Sequence, residues 1–174
     1  ILGMEVEGVR SLCKGIGGCQ IANLNCPGQV VVSGKATNIE LLAGLAKDKG
    51  AKRAIMLDVS GAFHSKLMDP AKEKLEKEIA NVNFSAPGFP VISSVTGKPA
   101  ADPEEIKNNL IDQVNSLTLF GDSIKYIAEQ GIKTFIEIGP GKVLKGLLRK
   151  IDKSLEVINI EKPEDAAMLC VDSQ

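Results

Sequence analysis

The chain has 174 residues, 44% of them hydrophobic and 25% charged, and a formal net charge of −1. These are the proportions of a globular domain, and so small a charge gives no general pull toward nucleic acid or anionic lipid. No apolar stretch approaches the roughly 20 residues of a membrane helix, and aromatics at 3% leave a core to be built from Ile, Leu, Val and Ala.

Ile1-Leu2-Gly3 begins as though in mid-element, which leads us to expect a fragment of a longer protein, with no signal peptide in it. The four cysteines, Cys13, Cys19, Cys26 and Cys170, form no CxxC pair and have no nearby histidine. That spacing argues against a zinc site and for a reduced compartment.

Glu5 to Lys14 places Val6, Val9, Leu12 and Cys13 on one helical face, and the glycines at 15, 17 and 18 stop it. Cys19 to Leu24 and Gln29 to Ser33 read as strands joined by Asn25-Cys26-Pro27-Gly28, a hairpin. Thr37 or Asn38 is positioned to cap the next helix, with Ile39, Leu41, Leu42, Leu45 and Ala46 as its stripe and Gly50 at its end. Ala54 to Val59 is expected to be a further strand. One strand ahead of residue 1 would complete a split βαβ, ferredoxin-like module.

Beyond Val59, Asp69-Pro70 opens a helix to about Ala80, and Phe89 to Val95 is expected as a strand ending in a Thr96-Gly97 turn. Asp102-Pro103-Glu104-Glu105 is a strong helix start: a cap, Pro at the first position and acids in the first turn. Helices over 103–113, 120–130 and 142–151 alternate with strands over 134–138 and 157–160, and the tail after Lys162 is expected to fray. The alternation predicts an α/β fold.

His64 is the only histidine, set in Ser60-Gly61-Ala62-Phe63-His64-Ser65. A neutral imidazole on a loop suits proton transfer near pH 7, although a packed or solvated loop position is the commoner role of a lone histidine. Asp58 and Asp69 are the nearby acids, so no complete triad can be written, and no GxSxG elbow occurs. Gly139-Pro140-Gly141-Lys142 lies between a strand and a helix but lacks the first Gly and the Ser/Thr of a P-loop, which favours a tight corner over a phosphate cradle.

Four segments together resemble the malonyl-CoA:acyl carrier protein transacylase family: residues 22–34 (Ala-Asn-Leu-Asn-Cys-Pro-Gly-Gln-Val-Val-Val-Ser-Gly), Gly61-Ala62-Phe63-His64-Ser65, Gln113-Val114 with Ser116, and residues 137–144 around Gly139-Pro140-Gly141. The resemblance covers the C-terminal part of such an enzyme. It implies that residues 1–58 are a ferredoxin-like small subdomain short of its first strand. Residues 59–174 would be the C-terminal part of an α/β hydrolase-like large subdomain.

It also implies that His64 is the general base of a Ser–His dyad, with the Gln113 backbone carbonyl orienting its ring. Asn23 and Asn25 would face the gorge that admits the pantetheine arm, or else satisfy the hairpin's own backbone. Phe63 would crowd an α-methyl group and so favour malonyl over methylmalonyl. The reaction implied needs no bound cofactor and no metal. It takes malonyl-CoA as substrate and acyl carrier protein as partner, without nucleic acid or membrane, in the cytoplasm or alternatively a plastid. The nucleophilic serine and the carboxylate-binding arginine belong to an N-terminal half not in this sequence, so the chain alone is expected to be inactive and poorly soluble. Alternatives are an acyltransferase domain of a polyketide synthase and a non-catalytic fragment that binds carrier protein. One departure stands out: where the family has Ser-Pro-Val and an Arg or Gln, this chain has Ser116-Leu117-Thr118-Leu119.

Overall fold

A computed structural model describes residues 1–170, the side chains of Met168 and Cys170 excepted. The chain forms two compact units, one of Ile1–Ser123 and one beginning at Ile124. Both are built of helices and short sheets, as expected of an α/β protein.

The first unit opens with helix α1 (Val6–Ile16), hairpin strands β1 (Cys19–Cys26) and β2 (Gln29–Gly34), and helix α2 (Ala36–Asp48). The apolar stripe of α1 buries Val9, Leu12 and Cys13, and α2 contributes Leu42 and Ala46. These pack with Ile21 and Val30 of the hairpin and with Ala51 into one core. Gly17 ends α1 at φ 73°, a conformation open to Gly at little cost. Pro27-Gly28 joins the strands, and Gly28 at φ 70° supplies the positive φ a type II turn needs at its third position.

Four expectations need correction. Neither Thr37 nor Asn38 caps α2: the N-cap position falls two to three residues earlier, at Lys35, and Asn38 Nδ2 instead donates to Gly17 O (3.0 Å), tying the start of α2 to the end of α1. Ala54–Val59 is not a strand. Its apolar residues Ile55, Met56, Leu57 and Val59 are all more than half exposed, and pairing stops at the single bridge between Arg53 and Leu2. A β-prone run becomes a strand only where a neighbouring backbone offers partners for its N–H and C=O groups.

The strand expected over Phe89 to Val95 shrinks to β3 (Val91–Ile92), paired antiparallel with β4 (Pro99–Ala100). Pro90 has no N–H to donate, and Ser93 turns the chain early: its Oγ accepts from Val95 N (3.2 Å) and Thr96 N (3.4 Å). Of the tail expected to fray, Pro163–Cys170 instead forms a 3₁₀ segment, with Asp165 Oδ2 accepting from Glu161 N and Lys162 N (3.0 and 3.2 Å), and residues 171–174 lie outside the described residues.

The first unit continues with α3 (Asp69–Ile79), preceded by a 3₁₀ turn at Lys66–Met68, and α4 (Pro103–Asp112). Asp102 Oδ1 caps α4, accepting from Glu104 N and Glu105 N at 3.0 Å each. Helix α5 (Phe120–Glu129) runs across the boundary between the units. In the second unit, β5 (Thr134–Ile138) and β6 (Glu156–Ile160) pair in parallel across α6 (Val143–Ile151). This is the crossover that parallel strands require.

Candidate active site

His64 follows Gly61-Ala62-Phe63 and stands at φ 58°, the one positive-φ residue other than glycine among the described residues. A Cβ in the left-handed region costs about 1 kcal/mol or more, so such a position lasts only where its surroundings over-determine it. Three contacts do so. His64 N donates to Val114 O (3.2 Å). The Gln20 carboxamide of β1 grips the other side, Nε2 donating to His64 O (3.3 Å) and Oε1 accepting from Lys66 N (3.2 Å). Ser65, only 2% exposed, donates to Ala62 O (2.6 Å) and accepts from Leu67 N (3.3 Å), closing the loop into the 3₁₀ turn.

The ring is held from the loop after α4. His64 Nδ1 lies 2.8 Å from Gln113 O and 3.3 Å from Thr118 Oγ1. A carbonyl oxygen only accepts, so in the neutral ring Nδ1 carries the proton and Nε2 the lone pair. No carboxylate is needed for this. Asp58 is exposed, and Asp69 Oδ1 is engaged by Asn115 Nδ2 (2.7 Å), so it steadies the loop rather than the imidazole.

The loop is anchored at both ends. Lys72 Nζ meets Asp112 Oδ1 at 2.6 Å just before Gln113. At the far end Thr118 N donates to Ala22 O (2.8 Å), and Thr118 O accepts from Leu24 N (2.9 Å). Thr118 therefore adds to β1 as a parallel bridge opposite Asn23. Asn23 thus stands beside the residue that touches the His64 ring. Asn25 lies at the second irregularity of the hairpin register, between Leu24 and Cys26. Gly121 packs close against it: a Cβ there would be 3.4 Å from Asn25 O. Phe63 is 44% exposed beside His64, its ring within 3.9 Å of where a Gly61 side chain would begin.

Of the expected site residues, His64 and Gln113 are in direct contact, Asn23 is one residue removed, and Phe63 adjoins. Sequence reasoning missed Thr118, Gln20 and Ser65. Thr118 had a signal, since it falls in the segment that departs from the family pattern.

Residues 8–168 match a family described as the acyl transferase domain. The chain belongs to the acyl transferase domain family. It is 45% identical over 168 residues to the malonyl CoA-acyl carrier protein transacylase of Bacillus subtilis, covering 94% of this chain and 53% of that relative. It superposes with a TM-score of 0.92 and 39% identity on the crystal structure of the acyl-carrier-protein S-malonyltransferase of Bartonella henselae, over 98% of this chain and 56% of that one. A malonyl-transacylase solved in complex with its type II polyketide acyl carrier protein matches with a TM-score of 0.93 and 33% identity, over 97% and 55%. The chain spans about half the length of the curated relatives it matches.

The Gly139-Pro140-Gly141 corner is not an open anion site. Glu137 at the end of β5 places its carboxylate on the start of α6, accepting from Leu144 N and Lys145 N at 2.9 Å each. The positive end of the helix is thereby occupied from within. Among the described residues no cluster of three or more His, Cys, Asp or Glu is placed to hold a metal ion, and no helix is long and apolar enough to cross a membrane.

Proposed function

We propose that this chain is the histidine-bearing part of an enzyme that moves malonyl from malonyl-CoA to the phosphopantetheine thiol of acyl carrier protein, in fatty-acid synthesis. The observation that carries the reading is the 2.8 Å contact between His64 Nδ1 and Gln113 O, which leaves Nε2 free as a base. A serine supplied from outside these 174 residues gives its proton to Nε2 as its oxygen attacks the malonyl thioester. The thioester bond breaks, and the proton passes to the departing CoA thiolate. The carrier thiol then gives its proton to Nε2, attacks the malonyl-serine and takes the malonyl group. Serine leaves with that proton. No cofactor enters.

In this reading Phe63 narrows the space for an α-methyl group, a bias worth about 1–3 kcal/mol. Asn23 and Asn25 line the approach of the pantetheine arm. Residues 1–58 are the ferredoxin-like subdomain. The two bridges of Leu2, one to Gln29 and one to Arg53, both antiparallel, support that topology: Leu2 sits between β2 and the segment that follows α2. Residues 59–174 are the C-terminal part of the large subdomain. The setting is that of a cytoplasmic enzyme, or of a plastid one.

The test is His64→Ala in the full-length protein. Malonyl transfer is expected to fall at least about a thousandfold with substrate binding retained. Transfer at an undiminished rate would reject His64 as the base. The chain of 174 residues alone is expected to show no turnover. The similarity to a transacylase solved with a polyketide carrier supports a second reading, a polyketide pathway. Comparing transfer rates to fatty-acid and polyketide carriers separates the two.

A further inference from the structure

We propose that Thr118 is a positioning residue for the His64 ring, its hydroxyl serving as a second acceptor on Nδ1–H. This rests on the reading of His64 as the base and adds to it a side chain where that reading had only a backbone carbonyl. The geometry is direct. Gln113 O at 2.8 Å requires the proton on Nδ1, so Thr118 Oγ1, at 3.3 Å from the same nitrogen, meets an N–H and accepts from it. The two oxygens share one donor, the shorter contact leading and the hydroxyl adding to it.

Thr118 is well placed for the task. Its N–H and its C=O are both spent on β1, at 2.8 Å to Ala22 O and 2.9 Å from Leu24 N, so its backbone is fixed to the hairpin. Its branched Cβ restricts the rotamer, so the hydroxyl reaches the ring from a rigid base. The ring is thus held from two supports: the end of α4 through Gln113, and β1 through Thr118. A valine at 118 would fill the same volume with no acceptor.

The test is Thr118→Val, which keeps shape and both backbone bonds, with Thr118→Ser as rescue, each in the full-length protein. Nitrogen-15 NMR of the His64 ring, assigned by its loss in His64→Gln, reads the tautomer at alkaline pH, where imidazole is neutral. Thr118→Val is expected to raise the Nε2–H tautomer about threefold, and Thr118→Ser to restore the wild-type ratio. In parallel, kcat for malonyl transfer is expected to fall about threefold in Thr118→Val with KM unchanged. Should Thr118→Val not fold, Thr118→Ala removes the same hydroxyl. Ring nitrogen shifts identical to wild type in the folded hydroxyl-free variant would overturn the proposal, as would a serine variant displaced as far as the valine one. A changed tautomer with unchanged kcat would uphold Thr118 as the positioning group and count against His64 as the base.

Discussion

The carboxamide of Gln20 grips the backbone around His64, Nε2 donating to His64 O at 3.3 Å and Oε1 accepting from Lys66 N at 3.2 Å. A single side chain on β1 thus satisfies two backbone groups of a loop 44 residues away, at the point where that loop holds its left-handed residue. Gln20→Leu removes both bonds and is expected to cost about 1–2 kcal/mol, with the Lys66 amide losing hydrogen-exchange protection ahead of its neighbours. In the full-length protein kcat should fall about tenfold, because the imidazole loses its fixed bearing. Gln20→Glu keeps the acceptor for Lys66 N but sets an oxygen against His64 O, and should behave no better than the leucine variant.

Gly34 at the end of β2 faces Cys19 across the hairpin at a distance that excludes any side chain. A Cβ there would sit 2.6 Å from Gly18 O and 2.7 Å from Cys19 Cβ, and the obstruction is mostly backbone. Gly34→Ala is expected to destabilise the first unit by about 2–3 kcal/mol, read as a lower midpoint in urea. Gly44→Ala, on α2 with nothing within 4 Å of its would-be Cβ, is the matched control and should be neutral or stabilising by a few tenths of a kcal/mol up to about 1. Equal midpoints for the two variants would contradict the packing described for the hairpin.

What could be read from the sequence was what local chemistry decides. The stripe Val9, Leu12 and Cys13, the Pro27-Gly28 turn and the Asp102 cap each carry their own reason, and each is where the sequence places it. The misses share a different cause. Ala54–Val59 is β-prone but finds no backbone beyond Arg53 to pair with, and pairing is not a local property. Asn38 has the chemistry of a cap but is drawn to Gly17 O, a partner 21 residues away. In the site, a lone histidine signalled itself by its chemistry and Gln113 by a family pattern. Gln20 had no signal at all, since nothing in Cys19-Gln20-Ile21 tells that its carboxamide will meet a loop folded onto it later.

Glu137 and the start of α6 make a prediction about the corner that resembles a phosphate loop. Its two oxygens each accept one helix N–H at 2.9 Å, from Leu144 and Lys145. Glu137→Ala strips two donors of their partner and the helix end of its countercharge, an expected cost of about 1–2 kcal/mol to the second unit. Glu137→Gln keeps one acceptor oxygen and should recover about half. Neither variant is expected to bind inorganic phosphate measurably by calorimetry, since the corner is a joint between strand and helix. Phosphate affinity in Glu137→Ala at submillimolar concentration would show instead that the carboxylate was masking an anion site.

Cys13 carries a pH dependence whose sign follows from its surroundings. Burial, followed by the neighbouring Cys19 thiol, pushes the Cys13 thiol up from its ordinary 9.0 to about 12. The folded chain therefore holds this proton more tightly than the unfolded one, so the associated stability is fully present below pH 9 and drains away as pH rises toward 12. Denaturation midpoints should fall across that window in the wild type and fall less in Cys13→Ala, compared at equal temperature. The thiol should also be slow to react, because the thiolate is the nucleophile and the residue is 7% exposed. Alkylation by iodoacetamide at pH 8 is expected to leave Cys13 unmodified in the folded protein and to label it promptly in urea. Rapid labelling of Cys13 under native conditions would mean that α1 opens from the hairpin far more often than its buried face implies.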